Sequence, residues 1–228
     1  MGLPMWPGIE NREDFPKSGF SDTRESDFAF RCERRLFNVH REILRTKRGY
    51  LELFCNPRKP FGVVMREDRQ VPWHETPRIA LAMLRWCYTG VFIENAVPST
   101  GFFPRIHNID KDIFRVCVLS YAVAVEHGLD KGLLDSILET FQQNLVFFMA
   151  AAMNMGSGSN SHLWPITQHG VMEVVQLILK TTEKNDTRLK DLVLSAVSSN
   201  FMDMSTGMRC ILREIEGFDE CVMRYRRD

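Results

Sequence analysis

The chain has 228 residues, 44% of them hydrophobic and 25% charged, which is enough apolar material to bury one sizeable core or two small ones. Twenty-nine basic residues balance 29 acidic ones, so no global field recruits nucleic acid, an anionic membrane or an acidic substrate, and none of these partners is expected. Six cysteines stand apart, with no CxxC pair, and read as reduced core residues of a cytoplasmic or nuclear protein.

The start, MGLPMWPGIENREDFP, has neither a basic segment nor a continuous apolar one, so residues 1–20 read as a flexible leader and not as a secretory signal. A domain is expected over residues 21–149, with order beginning near Ser26. In Asp27-Phe28-Ala29-Phe30-Arg31-Cys32 apolar and polar positions alternate, and Leu36-Phe37-Asn38-Val39 offers a return strand, which together predict a hairpin across Glu33-Arg34-Arg35. Beyond His40, the residues Ile43, Leu44, Tyr50, Leu51, Phe54 and Cys55 suit two short helices broken near Lys47 to Gly49. Val63-Val64-Met65 reads as a short strand.

Thr76-Pro77 opens a helix, since proline at a first helical position sacrifices no needed donor, and an apolar face from Ile79 to Cys87 carries it to Gly90. Val91 to Asn108, with Pro98, Gly101 and Pro104, reads as a loop insertion. Phe114, Cys117, Val118, Tyr121, Ala122 and Val125 then keep helical spacing up to Gly128. A further helix from about Asp130 uses Leu133, Leu134, Ile137, Leu138, Phe141 and Leu145, so the two should pack face to face as an antiparallel pair.

The apolar run Leu145 to Met153 is about half the roughly 20 residues that a spanning helix needs, and no membrane segment is predicted. Residues 150–165, containing Gly156-Ser157-Gly158-Ser159, read as a linker before a helical extension over 166–228. There Val171, Val174, Val175, Ile178 and Leu179 mark one helix, Leu189, Leu192, Val193 and Ala196 a second, and Ile211, Leu212 and Ile215 a third. The fold class is α+β, with helices outnumbering strands.

No GxSxG elbow, Walker loop, HExxH or GxGxxG is present, so no catalytic residue is assigned; a nucleophilic Cys87 or Cys117 is the enzymatic alternative. Cys32 with His40, or Cys117 with His127, offers only two ligands at separations foreign to zinc clusters, and neither a metal nor a cofactor is expected. The basic run Arg31, Arg34, Arg35, Arg41, Arg45, Lys47 and Arg48 is interrupted by Glu33 and Glu42 and fits a solvated surface better than a nucleic-acid site.

Ser26-Asp27-Phe28-Ala29-Phe30, then Phe37-Asn38-Val39-His40-Arg41-Glu42-Ile43-Leu44, then Gly49-Tyr50-Leu51-Glu52-Leu53-Phe54 closely resemble the opening signature of BTB (POZ) domains. Leu84-Arg85-Trp86-Cys87-Tyr88-Thr89-Gly90 is similar to that family's L-x-x-x-Y-T-G close of a third helix, and Val118 to Leu129 to its Y-x-L-A-x-x-Y-x-L helix. The long loop before the fourth helix, and Thr181-Thr182 followed by Asp186 and Leu189, resemble fungal members. The turn Glu33-Arg34-Arg35 lacks the glycine that many members place there.

The resemblance covers residues 21–149. It implies a helical cluster flanked by a small sheet, used for self-association and for binding other proteins, with no small-molecule substrate. Many members bridge substrates to a cullin-RING ubiquitin ligase, so a homodimer and a cullin scaffold are the expected partners; other members serve in transcription complexes or as scaffolds. It also implies interface roles for Asp27, His40, Arg85 and Tyr88, although His40 can equally serve the local strand-to-helix junction and Tyr88 the end of its helix.

Overall fold

The computed structural model describes residues 26–33, 35–58, 60–62, 65, 76–93, 113–153, 166–181 and 186–225. The chain is mostly helical with one two-stranded antiparallel sheet, an α+β arrangement. It divides into two compact units, Met1–Glu94 with His127–Leu133, and Asn95–Glu126 with Leu134–Asp228.

In the first unit β1 (Phe28–Cys32) pairs with β2 (Arg35–Val39) in the register Phe28↔Val39, Phe30↔Phe37 and Cys32↔Arg35. Alternation sends Phe30, Cys32, Phe37 and Val39 inward and leaves Ala29, Arg31 and Leu36 exposed. The turn takes its left-handed step at Glu33, with φ of 55°, where a side chain costs roughly 1 kcal/mol that glycine would not.

Behind the hairpin stand α1 (Arg41–Arg45) and α2 (Tyr50–Cys55). Phe30 stacks on Phe37 with ring centroids 5.2 Å apart, Phe30 meets Phe54 at 5.2 Å, and Phe54 meets Phe61 at 4.9 Å, so one aromatic row joins the sheet to α2 and beyond. Gly49 leads into α2 at φ of 80°, and a side chain there would stand 2.6 Å from Leu129 Cδ2 and 3.1 Å from the His127 carbonyl oxygen. Both the conformation and the close approach require glycine.

Met65 is helical, as are Phe61 and Gly62, so the short strand expected at Val63-Val64-Met65 is corrected; Val63 and Val64 lie outside the described residues. Helix α3 (Thr76–Thr89) buries nine of its residues and ends at Gly90, whose φ is 71°. Most of the loop expected over Val91 to Asn108 lies outside the described residues.

Among its described residues the second unit has helices and their connections and no strand. Helix α4 (Ile113–Glu126) is buried from Ile113 to Ala124 except at Arg115, far beyond the single face that its spacing demands. It is covered from more than one side: Phe114 meets Phe141 of α5 (Lys131–Gln143) at 5.3 Å and Phe148 of α6 (Leu145–Ala152) at 5.4 Å. Arg115 forms an ion pair at 2.7 Å with Glu173 of α7 (Gln168–Thr181).

The expected linker does not begin at residue 150, because Ala150 to Ala152 belong to α6; residues 154–165 lie outside the described residues. In α7 the residues Val171, Val174, Val175 and Ile178 are buried as their spacing predicts. In α8 (Arg188–Ser199) the buried face is Leu189, Val193, Leu194 and Val197, with Leu192 and Ala196 only half-buried. Apolar residues lie on both sides of the Leu189–Val193 line there, and packing partners choose between them.

A 3₁₀ turn (Phe201–Asp203) leads to α9 (Thr206–Arg213), which stops before Ile215, and to α10 (Phe218–Tyr225), an eight-residue helix that the sequence pattern did not predict. Over Phe218 to Met223 the buried residues of α10 are Phe218 and Val222, too sparse an apolar signal to stand out. Among the described residues no helix is long and apolar enough to cross a membrane.

Candidate interaction site at the start of the first helix

Asp27, His40, Arg85 and Tyr88 all fall in the first unit, and three of them converge. Helix α1 has five residues and little stability of its own, so its open backbone donors need partners from elsewhere. Asp27 supplies one: its Oδ1 accepts from the Arg41 amide at 2.8 Å. An anion here also suits the positive end of the helix. The Arg41 guanidinium, in turn, lies 4.7 Å from the centre of the Phe28 ring.

His40 precedes the helix in an extended conformation and gives it no side-chain cap. It turns instead to the end of α3, where its backbone N–H donates to the Tyr88 hydroxyl at 2.8 Å and its Nδ1 lies 3.0 Å from the same oxygen. The hydroxyl thus joins the backbone and the ring of His40, giving its proton to Nδ1 or accepting one from it according to the ring tautomer. Nε2 is buried, with no hydrogen-bond partner among the described residues. Burial pushes the Tyr88 phenol up to about 12, partly countered by the bond from the His40 amide.

Arg85 stands three residues before Tyr88 on α3 and is half-buried. Beside it, Trp86 Nε1–H donates to Asp130 Oδ2 at 3.3 Å, Asp130 Oδ1 accepts from the Leu133 amide at 3.0 Å, and Lys47 Nζ lies 5.4 Å from the Trp86 ring. This second fastening was hidden in the sequence, where Trp86 read only as part of an apolar face.

The second unit has its own polar clasp, also unforeseen. Tyr121 donates to Asp186 Oδ1 at 2.6 Å. Arg188 grips the same carboxylate through Nε at 3.1 Å and Nη2 at 2.8 Å, and reaches Asp135 Oδ1 through Nη1 at 2.8 Å. Burial alone would raise the Asp186 carboxyl, but the bonds from Arg188 and Tyr121 outweigh it and hold the group below the usual carboxylate range. The hollow beside Tyr121, lined by Val118, Val125, Thr181 and Leu189, encloses no space for a water molecule, so the clasp is packing and not a ligand cavity. Asp186 and Arg188 lie close in sequence, but nothing there marks a tyrosine 65 residues earlier as their partner.

Cys87 and Cys117 are buried, and burial pushes the Cys87 thiol up to about 12 and raises that of Cys117 still more strongly. Both are therefore held as thiols, the form least suited to nucleophilic attack. Among the described residues no group of three or more histidine, cysteine or acidic side chains is placed to hold a metal ion. In comparisons with family models, curated proteins and solved structures, none matches this chain.

Proposed function

We propose that this chain is a non-catalytic protein-interaction module of the BTB (POZ) type, self-associating and serving as an adaptor to a cullin-RING ubiquitin ligase in the cytoplasm or nucleus. One observation carries the reading. The Ser26-Asp27 segment, the Phe37-Asn38-Val39-His40 segment and the Tyr88-Thr89-Gly90 helix end, far apart in sequence, meet at the start of α1 through bonds of 2.8 to 3.0 Å. Residues shared by several motifs and joined in one network are what a common fold requires. Such a role matches the absence of a catalytic motif, and the six free cysteines suit a reducing compartment.

In this reading Asp27, His40 and Tyr88 build the platform, and Arg85, half-buried on α3, supplies a contact to the scaffold. Calorimetric titration with the N-terminal region of the cullin that serves the family tests it, with Arg85→Glu as the control. Micromolar or tighter binding, lost in the variant while its circular dichroism is kept, supports the adaptor role. No heat of binding from folded wild-type protein rejects that role and favours a scaffold or transcription-associated protein that never meets a cullin.

A further inference from the structure

Zero net charge conceals an asymmetry inside the first unit. Residues 1–25 carry five acidic side chains against three basic ones, with three of the acids in the run Glu10 to Asp14, whereas residues 26–58 carry eight basic side chains against four acidic ones. The basic excess is displayed at α1, where Arg41, Arg45 and Arg48 are all exposed. Arg41 and Arg45 stand four apart and so share one side of the helix.

The acids of the same stretch do little to neutralise them. Asp27 is taken up by the Arg41 amide, Glu33 sits in the hairpin turn, and Glu42 reaches Arg45 only at 3.4 Å with both side chains mostly in water, a pair worth little. Glu52 of α2 is the fourth.

The chain enters this region beside the same arginines. Asp27 bonds to the Arg41 amide at 2.8 Å and the Arg41 guanidinium lies 4.7 Å from the Phe28 ring, so the segment before Ser26 is tethered at the start of α1. Twelve residues separate Asp14 from Ser26. A coil of that length spans roughly 20 Å and α1 is about 8 Å long, so the acidic run is within reach of all three arginines. A tether this short holds the run at a local concentration in the millimolar range, where weak affinity suffices.

We infer that the segment Ile9–Phe15 binds back on Arg41, Arg45 and Arg48 of its own chain and shields that face from acidic segments of other proteins. Glu10, Glu13 and Asp14 meet the arginines, and Ile9 and Phe15 flank them with apolar contact. Exposed ion pairs are individually weak, so a stronger acidic ligand displaces the segment. The inference rests on charge and tethering and not on the family reading, and a failed cullin titration leaves it standing.

Two-dimensional amide NMR spectra of the full chain test it. The variant Glu10→Lys, Glu13→Lys, Asp14→Lys should move the resonances of Arg41 to Arg48 and leave those of the second unit in place. The difference from wild type should shrink near 1 M salt, where screening extends about 3 Å. A synthetic peptide of residues 5–20 should bind this variant at least about tenfold more tightly than wild type, whose own segment competes for the face. Adding Arg41→Glu, Arg45→Glu, Arg48→Glu to the variant should abolish that binding. Resonances of α1 that ignore the charges at 10, 13 and 14, equal peptide binding by wild type and variant, or binding that survives reversal of the arginines would overturn the proposal. So would α1 resonances in wild type that move with protein concentration, which would assign the segment to a second copy.

Discussion

Tyr88 and Tyr121 each fasten a helix by one phenolic oxygen, yet they are held by opposite chemistry. Tyr88 meets His40 twice, through its backbone and its ring, with no carboxylate in the pair. Tyr121 meets a carboxylate that an arginine already grips by two bonds. Cutting Tyr88 from the first clasp leaves the His40 amide and Nδ1 without the oxygen that they share. A charged clasp with three members keeps part of its strength when its weakest member is lost, but depends on the charge itself.

The apolar interior sets the scale against which both clasps are measured. Phe141→Ala, which opens a gap against Phe114 and Phe148, should cost about 3–5 kcal/mol in chemical denaturation. If the cost falls below that of Tyr121→Phe, polar fastening and not the aromatic cluster dominates the second unit.

Next in size come the clasps. Tyr88→Phe strands the His40 amide and Nδ1 and should cost about 1–3 kcal/mol, whereas Tyr121→Phe leaves Asp186 with Arg188 and should cost less. Equal losses in parallel urea titrations would erase the distinction between them.

Acid and alkali should separate the two as well. The folded-state carboxyl of Asp186 lies below its unfolded value, so its contribution is present above the unfolded value near pH 4 and is lost as pH falls through the folded one. The Tyr88 phenol is raised from 10 to about 12, so its contribution is full below pH 10 and disappears as pH rises toward 12. Melting scans should therefore show Asp186→Asn flattening the acid limb and Tyr88→Phe reducing the alkaline one. An acid limb unchanged in Asp186→Asn would remove the charged clasp from the account.

The smallest effect is expected at the hairpin. Glu33→Gly relieves the left-handed strain and should raise stability by up to about 1 kcal/mol. A fall in stability would mean that the glutamate side chain contributes more than its backbone strain costs.

The same contrast governs what could be read from the sequence. The hairpin, the two short helices after it and the helices opening at Thr76 and near Phe114 were legible, because period-two and helical spacing both report one buried face. Met65 misled because three apolar residues in a row fit either a strand or a buried helix turn. Leu192 and Ala196 were placed in the core ahead of Leu194 and Val197, since a helix with apolar residues on two sides takes its inner face from its neighbours. Asp27, His40 and Tyr88 were visible as motif residues, but not that they bond to one another or to the α1 backbone. Tyr121 was visible as a helix-face residue and Asp186 within the segment after Thr181-Thr182, but nothing marked them or Arg188 as partners, since a polar contact leaves no periodic mark and Tyr121 stands 65 residues before Asp186.

The interaction-module reading is tested most directly by calorimetric titration of wild-type protein, Arg85→Glu and Tyr88→Phe with the cullin N-terminal region at one temperature where all three are folded. Micromolar binding by wild-type protein and by Tyr88→Phe, with none by Arg85→Glu, is the predicted result: the clasp builds the platform and the arginine makes the contact. Absence of binding by folded wild-type protein, or full binding by Arg85→Glu, would contradict it.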